Sequence, residues 1–143
     1  MLAAPIRSRL RRLARDRRGA AVLEMALVAP LLMALLTAIT AYGGYFWMAH
    51  SLQQAANDGA RAAIAGLTQS ERQSIATAAA IDEVGRANGL DPALLAASVS
   101  DDGITLVLTL RYDASDSPLL RLSLVPLPDP VIRRIAVVRL GGL

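Results

Sequence analysis

At 143 residues, with no cysteine and a single histidine, His50, the chain has room for one small domain and excludes disulfides, thiolate catalysis, cysteine-held metals and a lipidated N-terminal cysteine. A metal site would need carboxylates alone, and a Ser/His or Cys/His nucleophile pair has almost nothing to draw on. The net charge of +3 is lopsided: seven of the fifteen basic residues fall in the first 18 positions against Asp16 alone, while eight arginines face eleven carboxylates from Ala20 onward. The basic character belongs to the leader, and nothing after it offers the basic face with interleaved aromatics that nucleic acid requires.

Arg7, Arg9, Arg11, Arg12, Arg15, Arg17 and Arg18 lead into an apolar stretch in which Met25 to Ala49 carry no formal charge. As a helix those residues would extend ~37 Å, enough to cross a hydrocarbon core of ~30 Å. Met25 to Leu36 contain no glycine and are almost all Ala, Leu, Val and Met, for which lipid is the better solvent. Tyr42, Tyr45, Phe46 and Trp47 close the stretch where an aromatic belt would meet headgroups. A buried core helix is the competing reading, but so small a remainder could hardly surround a helix that is apolar on all sides. Seven arginines precede the stretch and only Arg61 and Arg72 follow within about 25 positions, which places the N-terminus on the cytoplasmic side. The run is too long for the apolar region of a secretory signal peptide. The pairs Arg11-Arg12 and Arg17-Arg18 lack the residues that follow a twin-arginine signal.

Leu52, Ala55, Ala56, Gly59, Ala60, Ala63, Ile64 and Leu67 then recur at three- and four-residue spacing, an amphipathic continuation whose small apolar side admits another helix closely. Thr68 and Glu71 have capping-box spacing before a second helix to about Arg86, ended by Asn88 and Gly89. Asp91-Pro92 predicts a short helical turn. A short strand near Ser98 to Ser100 precedes a clear one, where Ile104, Leu106, Leu108, Leu110 and Tyr112 alternate with Thr105, Val107, Thr109 and Arg111. Val131 to Leu140 reads as a further strand able to pair with it antiparallel and pack on the helices. Between them, 113–130 holds four prolines and predicts a long irregular connection. The fold class is therefore α+β: a long N-terminal transmembrane helix continuing into a small domain of helices on a short antiparallel sheet.

Arg17-Arg18-Gly19-Ala20-Ala21-Val22-Leu23-Glu24-Met25 is the decisive stretch, with Glu24 a lone carboxylate just inside an apolar helix. Such a group faces a partner or a polar pathway, or else snorkels to the headgroups. Pro30 removes a backbone donor and leaves the Ala26 carbonyl short of its bond, which either helix neighbours in an assembly or an ordinary kink would accommodate. From Arg18 to about Ala63 the sequence resembles the TadE-like family, minor pilins or pseudopilins of the tight-adherence (Flp-type, type IV) pilus. The resemblance rests on the Arg-Gly junction, Ala-Ala, Glu24, the Ala-Leu-Val-Ala-Pro run ending at Pro30, the aromatic helix end and Gln53 to Ala63. Met25 stands where the family usually has an aromatic residue, and Asn57-Asp58-Gly59 replaces a more basic wording. Beyond residue 66 the likeness is a general one to such pilins' C-terminal strands and proline-bearing loops.

The resemblance implies cleavage between Gly19 and Ala20 by a prepilin peptidase, leaving Glu24 as the fifth mature residue. It divides the chain into a cleaved leader at 1–19, a membrane helix at 20–49, an amphipathic extension at 50–67 and a periplasmic α+β region at 68–143. A new α-amino group at Ala20 would be able to neutralise the Glu24 carboxylate of a neighbouring subunit. The expected partners are the peptidase, other pilins or pseudopilins, the pilus assembly platform and the membrane. The expected location is the bacterial inner membrane, with the C-terminal part periplasmic. No catalytic residue, cofactor or metal is expected: His50 reads as a solvated interfacial residue, and Asp82-Glu83 and Asp101-Asp102 as solvated caps and turns. The alternative function is a membrane-tethered adaptor that is never processed. Gly43-Gly44 marks a flexible point or a close helix contact.

Overall fold

The computed structural model describes residues 17–121 and 125–141, so the leader arginines Arg7 to Arg15 lie outside the described residues. One helix, α1 (Arg17–Ala62), carries 46 residues through Pro30 without interruption and so joins the membrane stretch to its amphipathic extension. At 1.5 Å per residue it is about 69 Å long. From Gly19 to Thr40 none of its residues is buried. From Ala41 the domain closes on one stripe, burying Ala41, Met48, Ala49, Leu52, Ala55, Ala56, Gly59, Ala60 and Ala63. The aromatic cluster is partly taken up by that packing. Tyr42 Oη donates to the Pro126 carbonyl at 2.7 Å, Tyr45 packs on the core, and the Trp47 ring lies beside Gly89. Phe46 at 64% and Trp47 at 42% remain exposed. The free apolar length is thus the 22 residues Gly19 to Thr40, ~33 Å of helix against a hydrocarbon core of ~30 Å.

A 3₁₀ turn (Ala63–Ala65) ends α1, and α2 (Gln69–Arg86) packs against it. The predicted capping spacing is realised: Thr68 Oγ1 accepts from Glu71 N at 3.2 Å, while Glu71 Oε2 accepts from Leu67 N at 2.9 Å. Exposed Asp82 and half-buried Glu83 pair with Arg86. Gly89 then takes φ +86°, a left-handed conformation that glycine adopts without strain, and Asp91 caps the turn at Pro92–Leu94 by accepting from Ala93 N.

Three strands follow, β1 (Leu95–Asp101), β2 (Thr105–Asp113) and β3 (Val131–Arg139), all antiparallel in the order β1-β2-β3. Leu108 at the centre faces Val99 on one side and Ala136 on the other. Alternation puts Leu106, Leu108, Leu110 and Tyr112 of β2 and Ile132 and Ala136 of β3 into the core beneath the helices. The first strand is a full seven residues. Its sequence shows this weakly because its neighbours are alanines and serines, and pairing with β2 supplies what its own side chains do not. The proline-rich connection holds one helical turn, α3 (Pro118–Arg121), and its neck is closed by Ala114 N donating to the Pro130 carbonyl at 3.1 Å.

Asp101 departs from its sequence reading. It is buried, and Arg72 Nε donates to its Oδ2 at 2.7 Å, while Gly103 N donates to Oδ1 at 2.8 Å and Gln69 Nε2 to its carbonyl at 2.7 Å. The position continues the inward series Leu95, Ala97, Val99 on β1, so a polar group there needs a partner. Asp102 is the solvated turn residue expected, accepting from Ile104 N and Thr105 N. The Arg72 hydrogen bond, helped by Gly103 N–H and opposed by burial, holds the Asp101 carboxyl below its ordinary value. A depressed native pKa contributes stability that is complete above the unfolded value near 3.9 and is lost as pH falls through the native one. Asp101→Asn is therefore expected to lower the thermal midpoint at pH 7 by about 10 °C or more, since Arg72 loses its charge partner. Its decline from pH 5 downward should be shallower than that of the unaltered protein. It should not vanish, because turn N–H groups also hold Asp102, and the Ser115 side chain and N–H hold Asp113, below the usual range. Identical acid profiles in thermal melts would remove this role.

Candidate functional site

Gly19, Ala20 and Glu24 fall within the first turns of α1, and all three are exposed. Among the described residues nothing lies within 4 Å of the place a Cβ on Gly19 would occupy. Ala20 and Glu24 are four residues apart on a continuous helix, hence on the same face and separated by a rise of ~6 Å. Pro30 is also exposed and sits about 120° around the helix from Glu24, so the structure does not bring these two together.

Glu24 is the single formally charged residue between Arg18 and Asp58. Among the described residues its carboxylate makes no hydrogen bond or ion pair. Around it Val22, Leu23, Met25, Leu27 and Leu31 are each more than 60% exposed. Bare apolar surface of this extent in water would be a large liability, and lipid or neighbouring helices are the surroundings that remove it. One such helix, long and apolar enough to cross a membrane, is present among the described residues. Residues 19–61 match the family model for TadE-like proteins. No curated protein and no solved structure matches the chain.

The matched region begins at the glycine of the Arg-Gly junction and ends one residue short of the end of α1. The resemblance read from Glu24, Pro30 and the Gln53 to Ala63 run is therefore borne out over the helix. The sheet and α2 lie outside the match. In this chain the matched segment is a helix with a free apolar half and a half that seats the domain.

A cavity of about 340 Å³ lies at the joint between α1 and the domain, among Met48, Leu90, Leu94 and Tyr112 with Asp91, Asp113 and Asp116 at its margin. Those carboxylates are engaged locally: Asp91 with Ala93 N, Asp113 with Ser115 N at 3.0 Å, and Asp116 with Arg121. His50 is exposed on α1 and far from this margin in the sequence. Sequence reasoning missed two structural contributors, the Arg72–Asp101 pair and Leu119 against Gly44, whereas Gly59 at the α1–α2–β2 contact belongs to the small apolar side expected to admit another helix closely. Gly44 gave a signal, as one of two glycines read as a flexible point or a close helix contact.

Proposed function

We propose that this protein is a non-enzymatic subunit of a tight-adherence type IV pilus system, a pseudopilin that enters assemblies through α1 after a prepilin peptidase removes its leader. The observation that carries this reading is the exposed apolar half of α1, matched from Gly19 onward by the TadE-like model and interrupted by Glu24, which has no partner among the described residues. The cytoplasmic N-terminus follows from the arginine asymmetry, and it sets the domain on the opposite, periplasmic side. Neighbouring pilins and the assembly platform are the partners that would cover the helix.

Cleavage at Gly19 has a physical requirement. The Gly19–Ala20 bond lies in the first turn of α1, where the helix frays, and glycine lowers local helix stability by about 1 kcal/mol relative to alanine. An extended conformation there is cheap to reach, and a small side chain suits a cut placed against a membrane surface. The membrane-extracted protein is therefore expected to start at Ala20 by intact mass. Gly19→Phe should accumulate the full-length precursor, normally inserted, at the expense of most of the mature form. An unchanged ratio of the two, or an N-terminus at Met1 in the unaltered protein with the peptidase present, overturns processing and leaves a membrane-tethered adaptor.

A further inference from the structure

We propose that α3 is a second membrane contact, with Leu119 set into the bilayer surface and a phospholipid acyl chain lying in the notch between it and α1. The proposal rests on reading α1 as a membrane anchor, and it adds that the domain is seated on the bilayer instead of swinging above it. Leu119, Leu36, Thr37 and Thr40 line this notch of about 200 Å³. Its wall on α1 belongs to the last turns of the free apolar length, so the notch is continuous with the surface that lipid covers. Depth is fixed by a close approach: a Cβ on Gly44 would lie 2.7 Å from Leu119 Cδ1, so the absence of that side chain lets α3 come down onto the helix. Tyr42 Oη, bonded to the Pro126 carbonyl at 2.7 Å, holds the other end of the connection at the same level.

Chemistry favours acyl chains over a polar ligand. Thr37 Oγ1 donates to the Ala34 carbonyl and Thr40 Oγ1 to the Leu36 carbonyl, both at 3.0 Å, so the two hydroxyls are satisfied within the helix. The turn itself is split by polarity. Leu120 packs against the domain core, Leu119 stays 40% exposed beside α1, and the Arg121–Asp116 ion pair forms its wet side. That division suits an interface with hydrocarbon below and water above.

The chain has no cysteine, so single-cysteine reporters need no background changes. Full-length Leu119→Cys, Leu31→Cys and Leu67→Cys would each carry an environment-sensitive fluorophore in phosphatidylcholine–phosphatidylglycerol vesicles with and without a brominated acyl chain. Leu31 is the anchor control, 72% exposed on the free helix, and Leu67 the distal control, 89% exposed at the far end of the domain. The lone Trp47 should give unchanged emission in all three, reporting an intact joint. Brominated lipid is expected to quench the label at 119 at least half as strongly as at 31, and to leave 67 unaffected. Quenching at 31 without quenching at 119 overturns the proposal and keeps the anchor. No quenching at 31 removes the anchor reading, and the proposal with it. A label at 119 shielded from soluble quencher but untouched by brominated lipid would place a protein neighbour in the notch, which also overturns it.

Discussion

Gly59→Leu is expected to unfold the extramembrane domain while leaving the protein inserted through α1. A Cβ at this position would lie 2.7 Å from the Ala76 carbonyl oxygen, 2.8 Å from Leu108 Cδ2 and 3.1 Å from the Ala80 Cβ. The leucine end can rotate away, but the carbonyl belongs to the backbone of α2 and moves only if the helix moves. Shifting α2 would loosen its packing on α1 around Gly59, Ala76 and Ala80, a seam of small residues whose value depends on close approach. Overpacking by a methyl group costs about 1–3 kcal/mol. Leucine adds three further carbons with nowhere to go. A domain of this size has roughly 5–10 kcal/mol of stability in total, so Gly59→Ala should fold with a lowered midpoint and Gly59→Leu should not fold. The free stretch Gly19 to Thr40 makes no contact with this seam, so insertion should be unchanged. Limited proteolysis of membranes checks both points: the variant's domain should be digested to an anchored fragment at protease levels that spare the unaltered protein. A resistant domain in Gly59→Leu would mean that α1 and α2 do not meet so closely.

Local patterns in the chain were readable before any contact was known. The charge-free run, the Thr68–Glu71 cap, the end of α2 at Arg86 and the alternation of β2 each depend on a few adjacent residues, and each appears where the sequence places it. The features that escaped depend on distance. β1 reads Leu-Ala-Ala-Ser-Val-Ser-Asp, with small residues on both faces, so the sequence marks only a short strand near Ser98 to Ser100 and the register against β2 extends it to seven residues. Arg72 and Asp101 are 29 positions apart, and Asp101-Asp102 before a glycine looks like any solvated turn. Parity was the available clue, since Asp101 continues the inward series of β1. Leu119 lay in a proline-rich segment, and its contact with Gly44 joins residues 75 positions apart. At the candidate site the balance is reversed. Gly19, Ala20 and Glu24 form a contiguous pattern tied to the helix start, so sequence alone singles them out, and the folded domain adds no neighbour to them.

That isolation gives Glu24→Gln its expected outcome: membrane insertion as before or better, and assembly reduced. The amide keeps the side chain's shape and is cheaper to place beside lipid than a carboxylate, so abundance and orientation in the membrane should hold. It cannot form an ion pair. If the α-amino group freed at Ala20 of one subunit meets Glu24 of the next, the pair lets two buried charges compensate each other and sets the register of helix against helix. A loss of only about 1.4 kcal/mol per contact is tenfold in association. Crosslinked neighbour yield at matched membrane abundance should then fall about tenfold, with pilus function falling alongside. Two competing arrangements predict otherwise. A carboxylate that merely reaches the headgroups can be exchanged for an amide with little effect anywhere. A carboxylate that pairs with the amino group of its own chain, one turn away on the same face, loses a contact within the subunit and leaves crosslinks between subunits intact. Crosslinking should therefore be measured from cysteines placed on the free helix, with Leu31→Cys as the first site, in processed protein that either keeps Glu24 or carries Glu24→Gln. Full crosslink yield and normal assembly by the Gln variant would leave Glu24 with no part in joining subunits.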